Sequence, residues 1–381
     1  MFDFCIVGGG MIGAATALGL AKKGFSIALI ETHMPKAFEP SDEPDIRVSA
    51  ISVTSQALLD SLGAWQYIEQ MRTCSYARLS VWERPDCRTD FVSDDINTPR
   101  LGYIIENRVL QLGLHQALAD FPNVTWFCDS PVKEIVPGDK PLVHLTDKRV
   151  LSCRWLIGAD GLRSQVREAA CIGTQGWQYS QQAFAIQIIT HAPQQDITWQ
   201  QFIPTGPVAF LPMYAQFASL VWYNTSDNIK RLKTLSPVAL KQEIINAFPQ
   251  ELVDFDVLKT AHFPLMRMHA NQYVKEHVVL IGDAAHAINP LAGQGVNLGF
   301  KDVAVLLECI GDEQPQDKDL LRYESLRRKD NLLMMSAMDA IYGTFKQRNP
   351  LFKVMRNLGF KLANHGGVIK HQVMKYAMGL N

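Results

Sequence analysis

The sequence contains 381 residues, of which 47% are hydrophobic and 20% charged, a composition typical of soluble globular proteins. This length exceeds what one hydrophobic core usually serves, so two interleaved domains are expected. The 37 basic and 38 acidic residues give a net charge of -1, which argues against nucleic acid as a partner.

The first predicted elements form a β-α-β unit. Residues 4–7 are an apolar run typical of a strand, and residues 11–23 are an alanine-rich helical stretch that Gly24 ends. Residues 26–30 are typical of a second buried strand. The acidic, proline-containing residues 35–45 are predicted to form a loop.

The rest of the chain mixes helices and strands. Helices are predicted at residues 54–71, 109–119, 295–310 and 320–381. Buried strands are predicted at residues 155–157 and 278–281. Between residues 184 and 223, short β-type runs are separated by prolines and glycines, which predicts an antiparallel sheet inserted into the first domain.

The seven cysteines are scattered and form no C-x-x-C pair, so neither a metal site nor a disulfide framework is predicted. The apolar N-terminus lacks a basic region and is not expected to be a signal peptide. No apolar run approaches the roughly 18 to 20 residues that a membrane-spanning helix requires. A reducing, cytoplasmic location is therefore expected.

A glycine fingerprint follows the first strand. Gly8, Gly10 and Gly13 fit the pattern G-x-G-x-x-G, and Glu31 ends the next predicted strand. In such a fingerprint the first glycine permits a tight turn, the second admits a pyrophosphate, and the third lets helix and strand pack closely. An acidic residue at Glu31 suits two ribose hydroxyls and would repel a 2′-phosphate, so NADP is not expected here. The fingerprint alone does not separate FAD from NAD.

Two later stretches carry further acidic turns. Residues 158–167 place Asp160 and a glycine between a strand and a short arginine-bearing helix. Residues 282–297 place Asp283 at the end of a strand, where a carboxylate can accept hydrogen bonds from a ribityl hydroxyl. Gly293 and Gly295 would let the following loop lie flat against a planar ring, and the next helix would direct its positive N-terminus towards that ring.

The three motifs in this order resemble those of the para-hydroxybenzoate hydroxylase-type FAD monooxygenases. The resemblance implies that Glu31 binds the adenosine ribose and Asp283 the ribityl chain of FAD. It also implies that a loop over residues 290–295 faces the isoalloxazine where a C4a-hydroperoxide forms. The candidate catalytic residues are therefore Pro290, Gly293 and Gly295. The candidate cofactor-binding residues are Gly8, Gly10, Gly13, Glu31, Arg47, Asn107, Asp160, Asp283, Gly295 and Asn297.

Three of the polar residues have alternative interpretations. Arg47 matches an arginine near the flavin in this family, but it could instead pair with Glu43 or Asp45 at the surface. Asn107 stands where many members carry arginine. An asparagine there can still hydrogen-bond FAD but adds no charge. His286 could be catalytic, although a packed or loop-capping histidine is the favoured interpretation.

The expected fold is α/β (α+β), a Rossmann-like FAD-binding domain with an inserted antiparallel-sheet substrate domain and a helical C-terminus. The predicted FAD-binding domain comprises residues 1–75, 100–180 and 275–340. The predicted substrate domain comprises residues 76–99 and 181–274, and residues 341–381 form basic amphipathic helices. Five aromatic residues of the inserted sheet are candidates for a pocket wall or for core packing: Trp199, Phe202, Phe210, Trp222 and Tyr223.

Several stretches resemble more narrowly the ubiquinone-biosynthesis hydroxylases. They are residues 45–51, 198–202, 206–212, 218–223, 355–359 and 375–380. The resemblance implies O2-dependent hydroxylation of a polyprenyl methoxy-methyl-benzoquinol. No second fingerprint is present, so NAD(P)H is expected as a transient reductant. The alternatives are a prenyl-chain flavin reductase of similar fold and a weakly active FAD-binding subunit of a biosynthetic complex.

The C-terminal segment is basic and amphipathic. After Asp339 there is no acidic residue but seven lysines and arginines, and residues 351–364 place apolar and basic side chains on opposite helical faces. Such a helix can bind an anionic membrane or other ubiquinone-biosynthesis proteins, or it can dock on its own protein. Attachment at the inner face of the membrane is therefore an alternative to a freely cytoplasmic location.

Overall fold

Three β-sheets and the helices packed on them form the computed structural model, which describes residues 1–289 and 294–346. The helices are α1 (Met11–Lys22), α2 (Val53–Leu62), α3 (Trp65–Met71), α4 (Asn107–Leu118), α5 (Gln165–Ala169), α6 (Ser226–Lys233), α7 (Pro237–Ala247), α8 (Gln294–Ile310) and α9 (Asp317–Lys346). The first strands are β1 (Phe2–Val7), β2 (Ile27–Glu31), β3 (Val48–Ser52), β4 (Cys74–Tyr76), β5 (Arg78–Trp82), β6 (Arg88–Val92), β7 (Gly102–Glu106), β8 (Val124–Cys128), β9 (Val132–Val136) and β10 (Leu142–Leu145). The later strands are β11 (Val150–Gly158), β12 (Thr174–Thr190), β13 (Ile197–Ile203), β14 (Gly206–Pro212), β15 (Phe217–Thr225), β16 (Phe255–Ala270), β17 (Val274–Lys275), β18 (Val278–Leu280) and β19 (His286–Ala287).

The first sheet is built around the predicted β-α-β unit. Its strand order is β17-β18-β11-β1-β2-β8, and the five strands from β18 to β8 run parallel. Helix α1 packs against α4 and α8 and buries nine of its twelve residues, since Ala and Gly side chains permit close approach. The strand ends are in register: Val7 lies beside Ile30 and Gly158, and Gly158 lies beside Leu280. The turns that follow β1, β2, β11 and β18 therefore meet at one edge.

The predicted antiparallel sheet is confirmed and is larger than expected. Its order is β19-β16-β12-β15-β14-β13-β5-β6, with the pair β13–β5 parallel. Alternation along the strands divides the five aromatic candidates between the two faces. Trp199, Phe210 and Trp222 belong to the core beneath α6 and α7, whereas Phe202 and Tyr223 lie on the opposite face, against the end of α9.

The helices predicted at residues 109–119 and 295–310 are confirmed as α4 and α8, and α9 confirms the run predicted from residue 320 as far as residue 346. The run at residues 54–71 forms two helices, α2 and α3, because Gly63 adopts a left-handed conformation with φ 85° and ends the first. A small third sheet has the strand order β3-β7-β4. None of the described helices combines the length and apolar character needed to cross a membrane. Residues 347–381 lie outside the described residues.

Candidate functional site

The turn after β1, residues 8–13, has the backbone that the glycine fingerprint predicts. Gly8 has φ +102°, and a Cβ there would lie 2.4 Å from the carbonyl oxygen of Ala159. A Cβ on Gly13 would lie only 1.8 Å from the carbonyl oxygen of Gly8. A Cβ on Gly10 would meet nothing within 4 Å. Gly8 and Gly13 are therefore required by the fold itself, while Gly10 faces the open space in which a pyrophosphate would lie.

Glu31 is fixed beside this turn by two backbone donors. Gly9 N donates to Oε2 at 2.8 Å, and His33 N donates to Oε1 at 2.8 Å. Each carboxylate oxygen can accept a second hydrogen bond, so the side chain remains suited to a pair of ribose hydroxyls.

Helix α4 supports the same turn through two residues that the sequence analysis missed. Gln111 Nε2 donates to the Gly9 carbonyl oxygen at 3.1 Å, and His115 Nε2 lies 2.6 Å from the same oxygen. Burial lowers the pKa of His115, which favours its neutral form despite the nearby Glu31. The spacing of four residues on one helical face was the available signal.

Asp160 follows β11 at the same edge of the sheet. Its Oδ2 accepts hydrogen bonds from Gln165 N at 2.7 Å and Val166 N at 3.2 Å, at the start of α5. Its Oδ1 is buried without a protein partner. Burial raises the pKa of Asp160 against these hydrogen bonds. A buried carboxylate oxygen without a partner is unusual, which keeps Asp160 a candidate ligand contact.

Asp283 occupies the equivalent position after β18. Its side chain is accessible, yet desolvation by the surrounding protein raises its pKa. Within the described residues it makes no hydrogen bond or ion pair. The adjacent turn is held by Arg167, whose Nη1 donates to the Ala284 carbonyl oxygen at 2.8 Å.

The His286 side chain is buried and packed against protein groups rather than exposed at the site. Only 2% of the residue is exposed, and its Nε2 lies 2.5 Å from Oδ2 of Asp302. Asp302 also accepts from Arg327 Nε at 2.7 Å. These contacts support the structural interpretation of His286, and they identify two further positioning residues that the sequence analysis missed.

Arg47 makes neither of the surface ion pairs considered from the sequence. Glu43 approaches Lys259 at 3.9 Å, and Asp45 binds Arg108 Nε at 2.9 Å. The exposed Arg47 guanidinium instead lies over the Phe263 ring, 4.7 Å from its centroid. This stacking holds the Arg47 guanidinium, just before β3, against β16 of the second sheet.

Asn107 and Asn297 both bind protein groups. Asn107 begins α4, and its Oδ1 accepts from Ser49 Oγ at 2.7 Å. Asn297 Oδ1 accepts from Ser52 N at 3.0 Å, and its Nδ2 donates to the Ala50 carbonyl oxygen at 2.8 Å. These bonds fasten α8 to β3, so the Asn297 side chain acts on the site by positioning the helix.

The remaining candidates concern the loop before α8. Pro290 and Gly293 lie outside the described residues. Gly295 is in the first turn of α8, where a Cβ would make an ordinary contact with Ile288 Cγ2 at 3.7 Å. Within the described residues, the open space at Gly10, the unpartnered Asp160 Oδ1 and the accessible Asp283 share one sheet edge. This arrangement fits an extended dinucleotide.

Residues 1–332 match the family model described as FAD binding domain. The chain is 42% identical to 3-demethoxyubiquinol 3-hydroxylase of Escherichia coli (strain K12), over 99% of this chain and 98% of that protein. It belongs to the ubiquinone-biosynthesis hydroxylases, within the FAD-binding monooxygenases. This hydroxylase is also 32% identical to ubiquinone biosynthesis monooxygenase COQ6, mitochondrial, of Danio rerio, over 99% of this chain and 90% of that protein.

Solved structures place this hydroxylase in the same fold. p-Nitrophenol 4-monooxygenase PnpA from Pseudomonas putida DLL-E4 superposes with a TM-score of 0.81 at 21% identity, covering 99% of this chain and 96% of that one. The predicted fold class and FAD as cofactor are confirmed. This hydroxylase is thus a flavoprotein monooxygenase.

Proposed function

We propose that this hydroxylase adds one oxygen atom from O2 to the ring of a polyprenyl methoxy-methyl-benzoquinol, with NAD(P)H as the transient reductant. The relative with 42% identity over nearly the full length carries this activity in its name. The observation that carries the proposal is the sheet edge where Glu31, Asp160 and Asp283 meet the open space at Gly10.

Each group at this edge has a distinct proposed role. The backbone N–H groups after Gly10 and the N-terminus of α1 bind the pyrophosphate. Glu31 accepts hydrogen bonds from the adenosine ribose, and Asp283 accepts them from the ribityl chain, with Asp160 Oδ1 as a further acceptor. We also retain Asn107 and the loop over residues 290–295 as flavin contacts.

The chemistry divides between cofactor and protein. Bound FAD supplies hydride acceptance and the activation of O2. The protein holds the ring of the substrate near the flavin, excludes water and positions charge. Arg47, stacked on Phe263 of β16, places a cation beside the second sheet, where it would stabilise negative charge on a quinol oxygen or on the flavin.

We assign residues 1–75, 100–180 and 275–340 to FAD binding and residues 76–99 and 181–274 to substrate binding. Two separate hydrophobic cores support this division, one beneath the parallel sheet and one beneath α6 and α7. We further propose that residues 341–381, almost all outside the described residues, attach the enzyme to the inner face of the membrane or to partner proteins. Their excess of basic residues supports this.

The test is incubation of the purified FAD-loaded protein with a decyl-substituted methoxy-methyl-benzoquinol, NAD(P)H and isotope-labelled dioxygen. Mass spectrometry should find one labelled oxygen on the ring. Hydrogen added to a prenyl chain, measured with a prenylated quinol, would instead support the reductase alternative. NAD(P)H oxidation unaffected by quinol would support the weakly active subunit.

A further inference from the structure

Helix α9 carries large apolar side chains on the side that faces away from the protein. The exposed fraction is 47% for Leu326, 40% for Leu332, 63% for Leu333 and 39% for Ile341. The spacings from Leu326 to Leu333 and on to Ile341, seven and eight residues, keep these side chains on one side of the helix. Single exposed leucines are ordinary, whereas a continuous apolar strip marks a binding surface. We call this strip, with Lys329, the outer face of α9.

The charge on the outer face of α9 is positive. Lys329 is exposed near its centre and pairs with no acid among the described residues. Both acidic residues between residues 326 and 346 are ion-paired: Asp330 with Lys301 at 2.9 Å, and Asp339 with Arg267 at 2.6 Å. The sequence after Asp339 adds seven lysines and arginines and no acid. The surface is therefore both apolar and cationic.

A half-exposed tryptophan lies beside the end of α9. Trp177 of β12 is 49% exposed, and with Tyr342 and Gly343 it lines a cleft of about 410 Å³. The guanidinium carbon of Arg267 lies 4.5 Å from the centroid of the Trp177 ring. Tryptophan, with an apolar body and one polar N–H, is enriched where lipid headgroups meet acyl chains. Its position adds a second feature that suits a lipid surface.

We propose that the outer face of α9, together with Trp177, docks the enzyme on an anionic phospholipid bilayer. The leucines enter the boundary between headgroups and acyl chains, and Lys329 contacts lipid phosphates. A helix with apolar and cationic side chains of this kind lies in the plane of the interface. The inference rests on the proposed function and deepens it, because a polyprenyl quinol is carried by the bilayer.

A second copy of the chain fits the outer face of α9 less well. In a symmetric dimer the same surface meets itself, so Lys329 and the cations that follow Asp339 would approach their counterparts in the other copy. Like charges brought together in this way oppose association. An anionic bilayer offers the opposite charge, and each cation near its surface adds to the attraction.

The test is sedimentation of the full-length, FAD-loaded protein with vesicles of phosphatidylglycerol and phosphatidylethanolamine. Wild type should bind, and binding should weaken between about 0.1 and 1 M salt, where the screening length falls from about 10 to about 3 Å. The double variant Leu326→Glu/Leu333→Glu should raise the dissociation constant at least about tenfold, because two apolar contacts are replaced by charges that the lipid repels. Lys329→Gln should raise it about fivefold.

Val238→Glu/Ile245→Glu is the matched control. These two residues are 80% and 51% exposed on α7 and have the same spacing of seven residues as the leucines. Both double variants should keep the Tm and flavin content of wild type, because all four side chains are exposed. The control should bind vesicles as wild type does. The proposal is overturned if wild type does not bind, if Leu326→Glu/Leu333→Glu binds normally, or if the control loses binding equally.

Two further measurements separate this inference from its alternatives. Analytical ultracentrifugation should give wild type and Leu326→Glu/Leu333→Glu the same association state; a wild-type dimer that the variant dissociates would assign the outer face of α9 to a second copy. Hydroxylation of the decyl-substituted methoxy-methyl-benzoquinol, supplied without vesicles, should be the same in both proteins. If wild type binds vesicles but does not hydroxylate this quinol, the proposed function fails and the docking surface stands.

Discussion

Nε2 of His286 lies 2.5 Å from Oδ2 of Asp302, and both side chains are at least 98% buried. The same Oδ2 accepts from the backbone N–H of Gly282 at 3.1 Å, and Oδ1 accepts from Arg327 Nε at 2.7 Å. The carboxylate therefore joins α8 and α9 to the turn that presents Asp283. Charged side chains therefore hold this turn in place, and this leads to the first prediction.

Replacing Asp302 by Asn should lower the free energy of unfolding by about 3 to 5 kcal/mol, because it removes the buried carboxylate that pairs with Arg327 and His286 and leaves Arg327 only the partly exposed Asp330. FAD affinity should fall as well, since the Gly282 N–H loses its charged acceptor. Urea unfolding and flavin titration measure the two effects. Asp330→Asn is the control: Asp330 is partly exposed and pairs mainly with Lys301 and Arg327, so its loss should cost about 1 kcal/mol or less. Equal losses for both variants would contradict this role of Asp302.

The same carboxylate should govern part of the acid unfolding. Burial acts to raise the pKa of Asp302, but His286 and Arg327 outweigh it and hold that pKa at about 2, below the usual 3.8. A carboxyl whose pKa is depressed on folding stabilises the protein above its unfolded pKa, and this stabilisation is lost as pH falls through the folded value. Wild type should therefore lose stability between about pH 4 and pH 2 more steeply than Asp302→Asn. Parallel acid-unfolding curves would refute the assignment.

Gly10 and Gly13 should respond in opposite ways to alanine. Gly13→Ala places a Cβ 1.8 Å from the Gly8 carbonyl oxygen, so the β1–α1 unit must distort and the protein should be recovered poorly or with a much lower Tm. Gly10→Ala meets no atom within 4 Å and should fold with little change in Tm, but it should bind FAD weakly because the methyl group occupies the pyrophosphate space. Thermal unfolding of the flavin-free proteins separates the two. Normal FAD affinity in Gly10→Ala would show that the pyrophosphate does not bind at this turn.

Asp283→Ala should weaken FAD binding by tenfold or more, because a charged hydrogen bond contributes about 1.5 to 3 kcal/mol. Burial already raises the pKa of Asp283, so removing its charge should not destabilise the flavin-free protein. Flavin fluorescence titration gives the dissociation constant. Asp227→Ala, at the exposed start of α6, is the matched control and should leave FAD affinity unchanged. An unchanged affinity in Asp283→Ala would exclude its proposed contact with the ribityl chain.

Local sequence was sufficient to predict the strand-turn-helix at residues 8–13 and the acidic residues after the parallel strands. Gly13 and Glu31 act through neighbours within one β-α-β unit, so their spacing determines their geometry, whereas the close neighbour of Gly8 is Ala159 in the turn after β11. Short β-type runs separated by prolines and glycines likewise predicted an antiparallel sheet between residues 184 and 223. Which face of that sheet is buried by which helix, however, is decided by the tertiary fold. The sequence alone therefore did not predict how the five aromatic residues divide between two hydrophobic clusters.

The residues that position the site make contacts with residues far away in the sequence. The spacing of residues within a motif does not reveal such contacts. Arg327 reaches Asp302 across 25 residues, and Gln111 reaches the Gly9 carbonyl oxygen across 102. Arg47 was placed near the flavin by resemblance, but its stacking on Phe263 requires β16 to lie beside it.

The last prediction separates the shape of Arg47 from its charge. Arg47→Lys keeps the cation but loses the planar stacking on Phe263, whose centroid lies 4.7 Å away. Because the contact is exposed, the free energy of unfolding should fall by no more than about 0.5 to 1 kcal/mol. Turnover of the FAD-loaded enzyme with quinol should fall much further, since the flexible ammonium is no longer held in place against Phe263. Arg231→Lys, which alters an exposed ion pair with Glu243, should change neither quantity appreciably. Equal turnover in Arg47→Lys and Arg231→Lys would show that the stacked guanidinium has no part in the reaction.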